Sequence, residues 1–183
     1  APAIGWQNTI GGYNDDYLNF VEQTTDGGYI LGGDSNSGAN GDKTESRIGV
    51  GGADYWVVKL DSFGAIEWQN TIGGTSTEAL KAVFQTTDGG FIIGGYSQSG
   101  ISGDKTEVNI GGYDYWIVKL DALGNIQWQN TIGGNSNDKL NCIIQTDDDG
   151  YLMGGESQSN ISGDKTENSK GGDDYWVVKT NSL

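Results

Sequence analysis

The chain repeats itself, and that repetition restricts its fold more than any motif does. DYWVVKLDSFGAIEWQNTIGG at residues 54–74 returns as DYWIVKLDALGNIQWQNTIGG at 114–134. The two ends hold the halves of another copy, IGWQNTIGG at 4–12 and DYWVVKTNSL at 174–183. Trp6, Trp68 and Trp128 mark one phase, 62 and 60 residues apart, and Trp56, Trp116 and Trp176 mark a second at 60 and 60. In the first repeat SRIGVGGA stands where the second has VNIGGY, two residues fewer, and tolerance of length marks a loop. The repeats run approximately 13–74, 75–134 and 135–183, with strand 4–12 closing the last, in a single domain over 1–183.

Each repeat reads as four strand-like segments, described here on the second. Segment A is 80–86 (LKAVFQT), and B is 91–93, closed by Gly94-Gly95. Asp-Gly and Gly-Gly between apolar runs signal hairpins, because such turns need positive φ angles. A long polar loop, 96–113, leads to C at 114–120, and a second tight turn leads to D at 126–132. In D, Ile126, Trp128 and Ile132 share one face while Gln127, Gln129 and Thr131 share the other, the period of a strand with one wetter face. In C, Trp116 and Val118 alternate with Tyr115 and Ile117, so both faces are apolar and C should lie between two sheets. Four antiparallel strands in about 60 residues, apolar on both sides, predict an all-β fold of β-propeller blades, three per chain. A β-prism and a β-trefoil are also three-fold and four-stranded, but trefoil units are shorter, and the doubly apolar C segment fits stacked blades better.

QTTDGGYILGG (23–33), SGDKTE (102–107), DYWIVKLDALGNIQWQNTIGG (114–134) and their copies together resemble the tandem propeller-type repeats of large secreted bacterial surface proteins that carry a type IX secretion sorting domain. The likeness covers nearly the whole chain and concerns repeat type; it specifies no biochemical activity. It implies a secreted or cell-surface location. No signal peptide is visible, the chain opens Ala1-Pro2, and Met153 is its one methionine, as expected of a chain processed after export or excised.

Propellers have four to eight blades, and stacking of apolar faces continues until the ring closes. The expected solution is a homodimer forming a six-bladed ring. Its N-terminal strand (Trp6, Ile10) would pair with the C-terminal strand (Trp176, Val178) of another chain and hide both sheet edges. A strained three-bladed monomer, a nine-bladed trimer and a fragment of a longer chain are the alternatives.

Lys and Arg number 10 against 25 Asp and Glu, a formal charge of −15 that repels phosphate backbones and argues against nucleic acid. No apolar run is long enough to insert in a membrane. The absence of histidine removes Ser-His and Cys-His nucleophile pairs and every His-metal site. There is no phosphate-binding loop spacing and no S-x-D-x-G-x-T-W sialidase box. A carboxylate-pair glycosidase is the one catalytic alternative, and the expectation is that the chain is not an enzyme. The single cysteine, Cys142, holds the place of Phe20 and Ala82 in the other repeats and is expected to be a buried apolar filler.

A four-stranded meander puts the B–C and D–A loops on one side and the tight A–B and C–D turns on the other. The loop side collects Asp16, Glu78 and Asp138, with Tyr96 and Tyr113, as candidate ligand contacts, the two tyrosines for a glycan. Asp42, Asp104 and Asp164, each followed three residues on by Glu45, Glu107 or Glu167, are candidate calcium ligands. Against calcium stands a capped turn with Lys43, Lys105 and Lys165 as internal countercharges. Asp147-Asp148-Asp149-Gly150 reads as a hairpin turn with added surface charge. Asp54, Asp114 and Asp174 are expected to bond the adjacent loop backbone, and the six tryptophans, all within strands, to pack in the core. The functional expectation is a secreted binding or adhesion module that self-assembles through its terminal strands and engages a glycan or surface protein. The alternatives are a lectin-like module and a structural repeat, excised or engineered, whose only function is assembly.

Overall fold

The computed structural model describes residues 2–181, so residues 182–183 of the third repeat lie outside the described residues. Eleven strands form three antiparallel sheets, and the described residues contain no helix, hence none able to cross a membrane. The first sheet runs β1 (Asp16–Gln23), β2 (Tyr29–Ser35), β3 (Asp54–Leu60), β4 (Ile66–Ile72). The second repeats that order with β5 (Glu78–Gln85), β6 (Phe91–Ser97), β7 (Asp114–Leu120) and β8 (Ile126–Ile132). The third has three strands, β9 (Asp138–Gln145), β10 (Tyr151–Ser157) and β11 (Asp174–Thr180).

The sheets stack face to face, because period-two strands with two apolar faces must bury both. Ile30, Tyr55, Val57 and Ile72 of the first sheet form one core with Leu80, Val83, Phe91, Ile93, Trp116 and Val118 of the second. Ile92, Tyr115, Ile117 and Ile132 on the opposite face of the second sheet form another with Leu140, Ile143, Tyr151 and Met153 of the third. The first strands of successive sheets touch, β1 with β5 and β5 with β9, so the sheets fan outward from their innermost strands.

The third strands record how many neighbours each sheet has. β3 and β7 are buried at every position, as the doubly apolar pattern predicts, whereas β11 alternates between half-buried and exposed. Among the described residues nothing covers the far face of the third sheet. Cys142 lies on that face and is exposed, which corrects its reading as a buried filler. Its counterpart Ala82 is buried because a third sheet lies over it.

Two boundaries also differ from expectation. The A strands begin two residues earlier, at Asp16, Glu78 and Asp138, and the B strands run through Gly-Gly to Ser35, Ser97 and Ser157. The glycines answer a close approach. A bulge between Leu80 and Ala82 pushes the β5 backbone towards β6, and a Cβ on Gly95 would collide with the Ala79 carbonyl oxygen. Residues 4–10, expected as a strand, carry no ladder, since the described residues offer them no adjacent strand to pair with.

The A–B turns carry a residue at positive φ: Gly27 (84°), Gly89 (83°) and, in the third repeat, Asp149 (60°). A non-glycine residue held there costs on the order of 1–3 kcal/mol, more than the roughly 0.4–1 kcal/mol of unfolded-chain entropy that glycine loses on folding. Asp149→Gly should therefore stabilise the third sheet by about 1 kcal/mol, read as a higher urea midpoint at unchanged slope.

Candidate functional site

The long B–C loops and the D–A connections do share one side of the sheets, and side chains of one close the open edge of the other. β8 is an outer edge strand whose free N–H groups need partners. Glu107 Oε2 accepts the Thr131 N–H at 2.5 Å, and Lys105 Nζ donates to the Thr131 hydroxyl at 2.5 Å and to the Glu107 carbonyl at 3.0 Å. Gln129 Nε2 donates to the Asp104 carbonyl at 2.6 Å, while Gln129 Oε1 accepts from the Thr106 N–H and the Trp116 indole N–H. The first sheet repeats the set with Glu45, Lys43, Thr71, Gln69 and Trp56. SGDKTE is thus an edge cover, a side-chain substitute for a fifth strand.

Five of the six candidate calcium ligands take part in this cover, and the sixth, Glu167, stands beside the open edge of β11. Asp104 Oδ2 accepts the Gly73 N–H at 3.1 Å, and Asp42 and Asp164 accept from Gly11 and Gly133 in the same way. Each Asp tethers its loop to the end of the preceding D segment. Among the described residues no three His, Cys, Asp or Glu side chains gather as a metal site would require. Asp148 sits in the β9–β10 hairpin turn, accepting from Gly150 N and pairing with Lys179 at 2.8 Å.

Asp16, Glu78 and Asp138 head the innermost strands and brace the D–A connections: they accept the N–H of Gly12 (2.7 Å), Gly74 (3.0 Å) and Gly134 (2.7 Å). Serines from the B strands and the loops beyond them complete the brace, with Ser97 Oγ donating to Glu78 at 2.7 Å and Ser159 Oγ to Asp138 at 2.8 Å. Tyr96 and Tyr113 do come together, ring centroids 5.1 Å apart and edge to face. Their π faces are taken by the protein's own cations: Lys139 Nζ lies 5.6 Å from Tyr96 and 5.3 Å from Tyr113, and Lys81 Nζ lies 5.6 Å from Tyr96.

Two groups of side chains have surroundings that differ from their sequence reading. The first is the lysines of SGDKTE: Lys105 and Lys43 are almost wholly buried, each ammonium lying over a tryptophan, and burial pushes both pKa values down. Their recurrence in an acid-rich chain, beside a Trp phase, was the available signal. The second is a carboxyl pair across each junction between sheets. Asp54 bonds the Ile48 N–H as expected, but burial, with the Glu78 carboxyl beside it, pushes its carboxyl up to about 7. Burial and the nearby Asp138 raise Asp114 likewise. Asp174, whose junction is open, is only half-buried and is instead held low by Ser169 and the Lys170 N–H.

The assembly residues show the sharpest contrast. Segment 4–12 lies against the first sheet as β4 lies against the second and β8 against the third. Trp6 meets Tyr29 at 5.6 Å, as Trp68 meets Phe91 at 5.8 Å and Trp128 meets Tyr151 at 5.6 Å. Asn8 Nδ2 donates to the Gly64 carbonyl at 3.0 Å, as Asn70 does to Gly124 at 2.8 Å. Ile10 packs on Trp56 and Val58. At the other end Trp176 and Val178 pack inward against the second sheet, and among the described residues the outer edge of β11 is unpaired. Beside it Lys165, Thr166, Glu167 and Trp176 line an open cleft of about 350 Å³ where their counterparts hold a D strand. Trp6 remains 45 % exposed, so not every tryptophan reaches the core.

Neither a scan of protein-family models nor a search of the curated proteins finds a match for this chain.

Proposed function

We propose that this chain is a non-catalytic, secreted or surface-exposed module of β-propeller blades, which assembles with copies of itself through its terminal strands and engages a partner by its loop face. One observation carries the assembly: segment 4–12 makes the inter-sheet contacts of a D strand without belonging to any sheet. A β11 edge from another copy supplies the missing ladder. By the register of β3 with β4, Tyr175 would stand opposite Ile10, Trp176 opposite Thr9 and Lys179 opposite Trp6. Lys165 and Glu167 would then receive Thr9 as Lys105 and Glu107 receive Thr131. Two chains so joined make a six-bladed ring, a symmetric closure. Export rests on the resemblance to secreted repeats.

Light scattering on the purified chain tests the assembly: a mass of twice 19.4 kDa is expected, and a mass of 19.4 kDa that persists on concentration would refute it. A specific observation favours a pure scaffold as the second reading. The loop acids already bond backbone N–H groups, and lysines cover the Tyr96 and Tyr113 rings. A glycan array separates the two, with reproducible hits on one sugar class favouring a binding module and silence favouring the scaffold.

A further inference from the structure

We propose that the outward face of the third sheet, centred on Tyr175, docks onto the front face of the first sheet of a second copy and rebuilds there the junction seen twice within the chain. This rests on the self-assembly reading and adds the face to the edge.

The three repeats supply the argument. Tyr55 and Tyr115 are each 0 % exposed, and Tyr175, in the same place, is 96 % exposed. Val57 and Ile117 are 0 % and 1 % exposed against 63 % for Val177. The front of the first sheet carries the complementary deficit. Leu80 and Leu140 are 0 % exposed while their counterpart Leu18 is 61 % exposed, and Val83 at 1 % contrasts with Val21 at 59 %. Each apolar set lacks the other.

The contact at the centre of the junction is defined. Tyr55 lies against Trp116 with ring centroids 5.0 Å apart and donates its hydroxyl to the Trp116 carbonyl at 3.1 Å. Tyr115 does the same to Trp176, at 5.0 Å and 3.0 Å. The Tyr115 hydroxyl reaches that carbonyl by passing Gly155, where a Cβ would stand 2.6 Å from it. In the first sheet the matching residues are Trp56 and Gly33, and they line a cleft of about 220 Å³ with Leu18, Leu31, Ile10 and Asn8. Tyr175 of the second copy fills that cleft, its ring on Trp56 and its hydroxyl on the Trp56 carbonyl. Docking also brings Asp174 to Asp16 of the second copy, as Asp54 meets Glu78. The geometry is self-consistent. Segment 4–12 already occupies the D position ahead of the first sheet, so pairing β11 with it lays the Tyr175 face over Trp56.

The test uses the full chain with Tyr175→Arg, a change at a side chain that is solvent-exposed in one chain and so does not threaten the fold. Its strand content is checked by circular dichroism. The variant should have the mass of one chain under conditions where the unaltered protein has the mass of two, and Tyr175→Phe should keep the assembly. Cys142 gives an independent readout, since it lies on the same face and would be covered as Ala82 is. Its reaction with a thiol reagent should be slowed at least tenfold in the assembled protein and restored by Tyr175→Arg. Thr9→Pro, which removes the N–H offered to Glu167, separates the two ideas. If Thr9→Pro dissociates the protein while Tyr175→Arg leaves mass and Cys142 protection unchanged, strand pairing stands and the docking face is refuted. If the unaltered chain is monomeric at every concentration with Cys142 fully reactive, the assembly reading falls with it.

Discussion

Asp54→Asn should be more stable than the unaltered protein above pH 7, by roughly 1–3 kcal/mol, and indistinguishable from it near pH 4. Asp54 is fully buried at the first junction between sheets, one oxygen on the Ile48 N–H and the other without a hydrogen-bond partner. Glu78 faces it from β5 and Lys43 from the loop, and burial outweighs the lysine. The folded pKa, about 7, lies above the ordinary 3.8. Below pH 4 both folded and unfolded chains hold the proton and nothing is lost. Between pH 4 and 7 the unfolded chain ionises while the folded one retains its proton, so stability falls as pH rises, by at most about 4 kcal/mol, and levels off above 7. Asparagine presents a neutral amide that can still donate to Glu78, so the variant's profile should be flatter across that window. Carboxylates held low act elsewhere: Thr24 and Lys59 keep Asp26 at about 2, and its contribution is lost only below pH 4. Urea unfolding at a series of pH values between 4 and 8 reads the difference, and a constant offset between the two proteins would refute the assignment.

Lys105→Ala should cost about 3–5 kcal/mol, a large-to-small cavity added to the lost hydrogen bonds of a charged donor. Its side chain is 1 % exposed. The stem packs beneath the loop, and the ammonium joins the Glu107 carbonyl, the Thr131 hydroxyl and the Trp116 face. Alanine leaves a cavity and unpaired oxygens together. Lys105→Met, which keeps the stem and removes the donor, should lose about 1–3 kcal/mol, the cost of the unmade hydrogen bonds alone. Lys165 is the internal control: among the described residues its ammonium has no strand hydroxyl to receive it, only the Trp176 ring at 5.2 Å. Lys165→Ala should therefore destabilise a single chain by less than half as much as Lys105→Ala. Equal losses would refute the edge-cover account of SGDKTE.

Much of the fold was legible from residues alone. Trp116 alternating with Tyr115 in a strand-like run has only one solution, a strand covered on both faces, and β7 is buried throughout. The loop side was legible too, because a meander fixes which connections share an end. The candidate site was less so. Asp104 and Glu107 have the spacing of a capped turn or a calcium loop, and nothing local says that their partners are Gly73 and Thr131. Lys105 reads as a surface countercharge until Thr131 and Trp116 are placed around it. Gly94-Gly95 reads as a strand end until the bulged β5 backbone is laid beside it.

By itself the sequence determined the repeat, its strands, its turns and the order of each sheet, because these follow from period-two patterning and turn chemistry within a few residues. The tertiary structure alone decided which acids stay charged, which lysines are buried and which apolar residues remain uncovered. Those depend on what lies across a junction from a strand roughly 60 residues away. Tyr55, Tyr115 and Tyr175 make the point: they share one local sequence, and the next sheet buries two of them and leaves the third open.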